Sequence, residues 1–403
     1  MATARSRPLG FSARRSGVLE RLNLPYMDGV LLASALGLIA FSVFTLASAT
    51  QDDIPGQPFF FVMRQTAYAL VGLALMLAIA RIDYSRFREL RVGIYSFMLG
   101  TICFVLAFGA AAGGARRWIE LPYFRFQPSE LAKLLLIVSL SAFVIERTRG
   151  GTSLRQTARM LALGLAPAAL VFLQPDLGTG IVLMVITLAV LFIAGVPWSH
   201  FAAMAGVAAV VALLTFVVAP TFGVRLLHGY QEERLTSFLN PSAEDAGSSS
   251  YQINQALIAI GSGGKTGRGD QATQTDLDFL PERHTDFVFA VVGERFGFLG
   301  AAFVLSLYAL LIWRALRILT LSKNLYGTLI AGGIVAMVMF QVFVNVGMNL
   351  GVMPVTGITL PLMSYGGSSV LVTFMAIGLL QSVHVQSQLA SARSSRAEAP
   401  LLR

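Results

Sequence analysis

The sequence has little charge for its length. Only 13% of its 403 residues are Asp, Glu, Lys or Arg, and 55% are hydrophobic. Soluble domains carry about 25% charged residues, so this share predicts a membrane protein rather than two or three soluble domains. The chain also has only one cysteine, Cys103, and therefore cannot form an internal disulfide.

Phosphate-binding motifs of the nucleotide type are missing as well. A Walker loop needs a glycine six positions before its lysine, but Ala259 stands there before Lys265. A GxGxxG motif fails because Thr266 replaces its last glycine. The glycine run remains a hinge carrying Lys265 and Arg268, which either folds over a phosphate or forms a plain turn. No basic patch is interleaved with aromatic residues, so nucleic acid is not an expected partner.

Ten apolar runs approach or reach the roughly 20 residues that cross a bilayer. The predicted spans are Val30–Ala49, Val62–Ala80, Val92–Ala112, Leu131–Ile145, Met160–Leu173, Thr179–Val196, Phe201–Ala219, Phe287–Trp313, Gly327–Val346 and Ser368–Val385. The fourth and fifth are short, but omitting both would move the arginines of residues 147–159 outside, whereas basic loops stay in the cytoplasm. The prediction is an all-α, polytopic integral membrane protein with ten transmembrane helices and both termini cytoplasmic.

The spans divide the chain into three parts. Residues 1–26 are predicted to be a basic cytoplasmic tail, residues 27–386 the membrane domain, and residues 387–403 a disordered cytoplasmic tail. Residues 220–286 form a large outer loop between spans seven and eight. The close approach of a second protein's transmembrane helix is expected where Gly332 and Gly333 lie on the ninth span.

Two other outer segments are too unusual to be simple connectors. Residues 349–367 carry no charge but contain six prolines and glycines, which predicts a non-helical segment that is buried or lines a cavity. Within the large loop, a stripe at helical spacing predicts a helix on the membrane surface. The stripe consists of Ile253, Ala256, Leu257 and Ile260.

Residues 113–130 place arginines, among them Arg117, on the side that should have few. They either anchor to lipid headgroups or bind an anionic substrate, and Trp118 suits an interfacial position in both cases. Glu130 and Lys133 are three residues apart on one predicted helix, so they can form an ion pair. Asp176 is predicted to be a helix N-cap rather than a catalytic acid.

Asp286 lies at the water-facing lip of the eighth span, two residues after His284 and three after Arg283. An acid at this position is costly unless it is paired or hydrated, so it is a candidate functional residue by default. His284 either orients a substrate or is a histidine packed by its neighbours.

Six motifs together resemble one known family. They are GARRWI with QPSELAKL, QPDLGTG, GSGG, LPERHTDFVFAVVGERFG and PVTGITLPLMSYGGSS. In this order, from Tyr26 to Gln386, they resemble the SEDS family (shape, elongation, division and sporulation), and the elongation type slightly more than the division type. The resemblance implies a bacterial inner-membrane peptidoglycan glycosyltransferase that polymerises lipid II. It further implies that Asp286 is the essential acid and that Glu130 and Lys133 line its cavity.

The implied partners are a class B penicillin-binding protein, lipid II with the growing glycan chain, membrane lipid and other membrane proteins of the elongation machinery. In the chemistry this requires, a sugar hydroxyl attacks an anomeric carbon whose leaving group is a lipid diphosphate. A positioned carboxylate that takes the hydroxyl proton contributes about 10²- to 10⁴-fold. The diphosphate needs Arg, Lys or a divalent cation such as Mg or Mn, although no side-chain metal ligands are predicted.

The hypothesis is that Asp286 is the general base of an inverting reaction. The cations expected to hold diphosphates are Lys133, Arg117, Lys265, Arg268 and Arg283. A flippase or transporter of a lipid-linked sugar and a non-catalytic membrane scaffold are the alternatives. A transporter predicts symmetry between halves of the chain, and no internal repeat is visible.

Overall fold

The computed structural model describes residues 26–51, 53–112, 115–121, 124–148, 153–215, 247–277 and 279–398. The predicted N-terminal tail up to residue 25, residues 216–246 of the outer loop and the last five residues lie outside this part of the chain. The described helices are α1 (Gly29–Ala49), α2 (Phe60–Arg81), α3 (Arg86–Glu89), α4 (Arg91–Phe108), α5 (Pro128–Thr148), α6 (Leu154–Phe172), α7 (Leu177–Ile193), α8 (Trp198–Leu213), α9 (Gly247–Gly263), α10 (Thr273–Asp276), α11 (Val288–Leu321), α12 (Leu325–Asn349) and α13 (Gly367–Glu398).

Among the described residues, seven helices are long and apolar enough to cross a membrane: α1, α2, α4, α5, α11, α12 and α13. Helices α7 and α8 are apolar but shorter. Helices α5 and α6 have 21 and 19 residues, more than their apolar runs suggested. The reason is that polar residues extend both helices beyond their apolar runs. In α6, for example, the Ser153 side chain accepts a hydrogen bond from the Gln156 amide and caps the helix. The protein is thus a polytopic helical membrane protein.

The prediction of an all-α fold requires one correction, because the first outer segment contains a small sheet. Strands β1 (Ala110–Ala112), β2 (Ala115–Leu121) and β3 (Phe124–Phe126) form an antiparallel sheet in the order β1-β2-β3. Ile119 pairs with Phe126, and Glu120 pairs with Arg125. The alternating side chains of RWIEL and FRF fit the period of a strand, and such short stretches leave only a weak signal in the sequence.

Helix α11 is kinked at Gly297, whose φ of 63° and ψ of −159° are accessible essentially only to glycine. The glycine run after α9 supplies the hydrogen bonds that the kink removes. Phe298 N–H donates to the Gly264 carbonyl at 2.9 Å, and Arg268 N–H donates to the Glu294 carbonyl at 2.8 Å. The run therefore joins the outer loop to α11, and its glycines are required for close approach of two backbones.

The helix predicted around Ile253 is confirmed as α9, but it packs on α11 rather than lying alone on a membrane surface. Ile253 and Ala256 are buried, while 42% of Leu257 is exposed. A Cβ at Gly293 of α11 would come within 2.9 Å of the Ile260 side chain. This small residue allows α9 to approach α11 closely.

Two further expectations differ from the structure. Gly332 and Gly333 face α7 and α5, because added Cβ atoms would meet Ile193 at 2.1 Å and Ile137 at 2.9 Å, so the pair packs inside the bundle and not on an outer wall. Helix α13 continues to Glu398, although residues 387–398 were expected to be disordered. This stretch contains no Gly or Pro, and its Ala, Gln, Leu and Arg residues favour helix, so α13 continues through it.

Candidate functional site

Asp286 lies in the turn that leads into α11, two residues before the first helical residue, Val288. The turn begins at Glu282, which has a positive φ of 52°. The Glu282 carbonyl accepts a hydrogen bond from the Asp286 amide at 3.1 Å. Asp286 is half-buried, whereas Phe287 is only 1% exposed. The acid is therefore at the edge of the packed core, at the outer end of the bundle on the predicted topology.

Three consecutive carbonyl groups of this turn are held by the segment from α12 to the start of α13. The His284 carbonyl accepts from the Tyr365 amide at 2.8 Å, and the Thr285 carbonyl accepts from Ser364 Oγ at 2.5 Å. The Asp286 carbonyl accepts from two buried amides, Asn345 Nδ2 at 3.0 Å and Asn349 Nδ2 at 3.2 Å. The backbone around the acid is thus fixed at every carbonyl.

The holding segment, residues 350–366, is non-helical as predicted, and buried polar groups of three helices bind it. Ser42 Oγ of α1 donates to the Met363 carbonyl at 2.6 Å, and Gln65 Nε2 of α2 donates to the Ser364 carbonyl at 3.2 Å. The Tyr308 hydroxyl of α11 donates to the Pro361 carbonyl. This arrangement satisfies backbone groups that could not be left unpaired at membrane depth.

His284 lies in an aromatic cluster. Its ring centroid is 5.0 Å from Phe61 and 5.8 Å from Tyr365, and Tyr365 is 6.3 Å from Tyr68. The histidine is therefore packed by neighbours on α2 and on the 350–366 segment, two residues from the acid.

Arg64 belongs to the same cluster and was not among the predicted site residues. Its guanidinium lies 4.3 Å from the centre of the Phe60 ring and close enough to the Tyr365 hydroxyl to interact with it electrostatically. It lines a cavity of about 380 Å³ with Phe59, Phe60 and Met63, among other residues of the α2 start. No carboxylate of the described residues lies within 4.0 Å of this guanidinium. An arginine inside the second predicted span was the signal that could have identified it.

The predicted pairing of Glu130 with Lys133 is confirmed, with 2.7 Å between Lys133 Nζ and Glu130 Oε1. Both are buried, at 7% and 2% exposure. The residue before their helix is bonded to the start of α13, because Gln127 N–H donates to Ser368 Oγ at 3.0 Å. The short stretch of residues 364–368 therefore contacts both the Asp286 turn and the start of α5.

Arg117 is committed to backbone groups. Its Nε donates to the Gln174 carbonyl at 3.1 Å, and its Nη2 donates to the Pro175 carbonyl. The next residue, Asp176, is the predicted N-cap and accepts a hydrogen bond from the Thr179 amide at 3.2 Å. Trp118, the neighbour of Arg117 on β2, is half-buried. Arg117 thus holds the turn between α6 and α7.

Arg283 contacts a different set of residues from its neighbour His284. It is 7% exposed, forms an ion pair with Asp53 and donates through Nη1 to the Thr275 carbonyl at 2.6 Å. A polar cavity of about 190 Å³ lies here, lined also by Arg295, Asp270 and Asp276. Burial raises the pKa of the Asp276 carboxyl, and Arg295 beside it offsets part of the rise.

The two remaining predicted cations, Lys265 and Arg268, are exposed on the glycine run at the α11 kink. Arg268 Nη1 donates to Thr273 Oγ1 at 3.3 Å. Among the described residues, no three His, Cys, Asp or Glu side chains are grouped to hold a metal ion. A divalent cation would therefore take most of its oxygen ligands from water and a diphosphate, as magnesium commonly does.

Comparisons with known proteins cover most of this chain. The family model of cell cycle proteins of the FtsW, RodA and SpoVE type matches residues 26–389. Peptidoglycan glycosyltransferase MrdB of Escherichia coli (strain K12) is 38% identical over 367 residues, 91% of this chain and 95% of the relative. Stage V sporulation protein E of Bacillus subtilis (strain 168) is 38% identical over 362 residues, 88% of this chain and 94% of the relative.

Solved structures are similar over nearly the whole chain. A chain of a peptidoglycan synthase complex, described as coordinating polymerization and crosslinking, superposes with a TM-score of 0.75 at 32% identity, covering 90% of this chain and 98% of that one. The rod shape determining protein RodA of Thermus thermophilus gives 0.64 at 31% identity, covering 89% and 96%. Both the sequence and the fold therefore match over almost the full length.

Proposed function

The chain belongs to the family of FtsW, RodA and SpoVE cell cycle proteins, and we propose from this that it is a peptidoglycan glycosyltransferase that polymerises lipid II. The observation that carries the proposal is the match to a peptidoglycan glycosyltransferase over 91% of this chain and 95% of that relative. Asp286, half-buried and held at its backbone by two buried amides, supplies an acid in a fixed position.

In the proposed mechanism Asp286 is the general base. Its carboxylate takes the proton of the acceptor sugar's hydroxyl while that oxygen attacks the anomeric carbon of the donor. The bond from the anomeric carbon to the diphosphate breaks, and the lipid diphosphate leaves with the bonding electrons. One displacement inverts the configuration, so an α-linked donor gives a β-linked product.

The leaving diphosphate gains charge and needs cations beside it. Of the predicted cations, Arg117 and Arg283 bind protein groups, whereas Arg64 lines a cavity next to the His284 cluster. Lys133 has three N–H donors and one of them faces Glu130, so it retains donors for a phosphate oxygen. We assign the diphosphate to Arg64 and Lys133.

The proposal includes the full topology. Ten spans with both termini in the cytoplasm place Asp286, Glu130 and Arg64 at the outer face of the bacterial inner membrane, where basic loops are disfavoured. A class B penicillin-binding protein is the proposed partner, since the structurally similar chain comes from a complex that coordinates polymerization and crosslinking.

The test is polymerisation of purified lipid II by the full-length protein with its partner. Asp286→Asn keeps the shape of the side chain and removes the base, so the rate is expected to fall about 10²- to 10⁴-fold while the protein stays folded. Glu282→Gln, an exposed acid in the same turn, is the matched control and should leave the rate unchanged. Full polymerisation by folded Asp286→Asn would contradict the proposal.

A transporter of lipid-linked sugar is the second candidate, because it too needs buried charge such as the Glu130–Lys133 pair. The product distinguishes the glycosyltransferase from the transporter. Formation of glycan polymer in detergent requires an enzyme, whereas a transporter only moves lipid II across the membrane of vesicles. A scaffold would form no polymer and would tolerate loss of Asp286.

A further inference from the structure

Asn349, the last residue of α12, inserts its side-chain amide into the start of α11. Its Oδ1 accepts a hydrogen bond from the Ala290 amide at 3.0 Å, and its Nδ2 donates to the Asp286 carbonyl at 3.2 Å. Ala290 N–H can only donate and the Asp286 carbonyl can only accept, so the orientation of the amide is fixed by its partners. Asn349 is fully buried.

The two groups that Asn349 separates are four residues apart. In a continuous helix the Ala290 amide would donate to the Asp286 carbonyl, the ordinary i to i−4 bond. Here the Ala290 amide donates instead to the Phe287 carbonyl at 3.0 Å and to Asn349. A side chain inserted into the hydrogen-bond ladder is a recognised way of stopping or bending a helix. Asn349 therefore prevents α11 from extending back through Asp286.

Asn349 also acts as the N-cap of α11, although it belongs to another helix, α12. A capping Asp, Asn or Ser normally bonds the second or third helical amide, and Ala290 is the third residue of α11. The residue at the cap position itself is Phe287, which makes no side-chain capping bond. The start of α11 is thus capped without using an acid of its own turn.

Asn345 makes a second clamp one helical turn earlier. Its Nδ2 donates to the Asp286 carbonyl at 3.0 Å and to the Ile358 carbonyl at 2.8 Å. Asn349 Nδ2 additionally donates to the main-chain carbonyl of Asn345 at 2.8 Å, within α12. The Asp286 carbonyl is therefore tied both to α12 and to the non-helical 350–366 segment.

We propose that Asn349 and Asn345 are positioning residues that keep Asp286 outside α11, at the place where its carboxylate meets the acceptor hydroxyl. This inference rests on the proposed function, because it gives Asp286 the role of base. With the amide removed, the Ala290 amide and the Asp286 carbonyl can close their own bond. The helix then winds back by one residue, which turns the Asp286 side chain by about 100° around the helix axis.

The experiment measures kcat, KM for lipid II and the pH dependence of kcat in three full-length variants with the partner present. Asn349→Leu removes both hydrogen bonds with a side chain of the same branched shape and is expected to lower kcat on the order of 10²-fold, the loss typical of a misplaced catalytic group. KM should change by less than about threefold, since a base acts mainly in the transition state. The acid limb of the pH profile should move, because it reports the ionisation of the essential base.

Asn349→Asp is a second variant that keeps the inference testable if Asn349→Leu does not fold. It has the same size and keeps an acceptor for the Ala290 amide, but it has no donor for the Asp286 carbonyl when ionised. A smaller loss of kcat in the same direction is expected, because the Ala290 amide stays bound while the Asp286 carbonyl loses one of its two amide donors. The matched control is Gln381→Leu, because Gln381 is an equally buried amide that bonds the N–H and carbonyl of Asp28 at 2.8 and 2.9 Å. Its folded fraction should retain wild-type kcat.

Folded Asn349→Leu or Asn349→Asp with wild-type kcat and an unmoved acid limb would overturn the inference. A loss of kcat in Gln381→Leu equal to that in the Asn349 variants would also overturn it, since any buried amide would then matter alike. Activity in Asp286→Asn would instead contradict the proposed function, so the two failures are distinguishable.

Discussion

Asp28 and Asp286 lie beside helix starts in two different regions of the molecule, and the protein uses them differently. Asp28 is 3% exposed and caps α1 with its own carboxylate, which accepts the Leu31 amide at 2.9 Å and Arg314 Nε at 2.8 Å. Asp286 is half-buried, and the start of α11 is capped by Asn349 from another helix. In both regions a buried amide holds the aspartate's backbone, so the difference lies in what the carboxylate must do for the fold.

The comparison separates a structural acid from a catalytic candidate by geometry rather than by residue type. An acid that caps its own helix and binds an arginine cannot be moved or protonated without loss of stability. At Asp286, amides of α12 supply the helix cap and bind the carbonyl of the acid. This difference predicts opposite outcomes for the same substitution at the two positions.

The largest expected effect is on stability at Asp28. Asp28→Asn leaves Arg314 without its ionic partner, and breaking a buried pair costs about 3–5 kcal/mol. A value near about 3 kcal/mol is expected, because 18% of the Arg314 side chain remains exposed to solvent. Thermal unfolding in detergent measures the loss, and lipid II polymerisation by the folded fraction should stay at the wild-type rate.

Glu89→Gln is the control for removal of one negative charge, because Glu89 is an exposed acid in the short helix α3. This variant should leave the unfolding temperature unchanged. If Asp28→Asn instead lost polymerisation at wild-type stability, the assignment of the two acids would have to be reversed.

The second effect concerns two arginines, Arg283, which was predicted from the sequence to bind a diphosphate, and Arg64, which was not. Arg64→Gln removes a cation from the cavity beside His284 and is expected to raise KM for lipid II about tenfold, since a charge-assisted hydrogen bond contributes about 1.5–3 kcal/mol. Arg283→Gln breaks the ion pair with Asp53 and should lower the unfolding temperature without changing KM. Steady-state kinetics and thermal unfolding of both variants give the comparison.

An unchanged KM in Arg64→Gln together with a raised KM in Arg283→Gln would move the diphosphate to the polar cavity near Asp53. Arg64→Lys is the conservative variant, and it should recover part of the affinity because the positive charge is kept while the planar donor pair is lost.

Local spacing was enough to predict part of this site. Glu130 and Lys133 share a helix face, and Asp176 precedes its helix, so their partners lie within three residues. The apolar stripe of α9 and the non-helical 350–366 segment were also visible as patterns. Of the ten predicted spans, seven coincide with described helices that are long and apolar enough to cross a membrane and two with shorter apolar helices, and the full count of ten stays a prediction.

The rest depends on contacts between distant residues, for which periodicity gives no signal. Arg117 and Arg283 have the charge that a diphosphate needs, but their partners are 57 and 230 residues away. The glycine run suggested a phosphate hinge or a turn, yet its backbone fits against the kink at Gly297. Neither Asn345 nor Asn349 was among the predicted site residues, and their role appears only when α11 is placed beside α12.

The smallest effect is expected in the outer loop, at Asp276. Burial raises the pKa of this carboxyl above its ordinary 3.8, although Arg295 beside it counteracts the rise. Between 3.8 and the raised value the folded protein binds more protons than the unfolded chain, so stability falls as pH rises through this window. Asp276→Asn should remove this fall, which thermal unfolding from about pH 4 to about pH 7 would detect. The change will be small because 36% of the side chain is exposed.

Asp270→Asn, fully exposed in the same cavity, controls for losing one negative charge. An unchanged pH dependence in Asp276→Asn would contradict this prediction. Asp276 would then not represent a third class of acid, which is partly buried but, unlike Asp28 and Asp286, neither caps a helix nor takes part in the reaction.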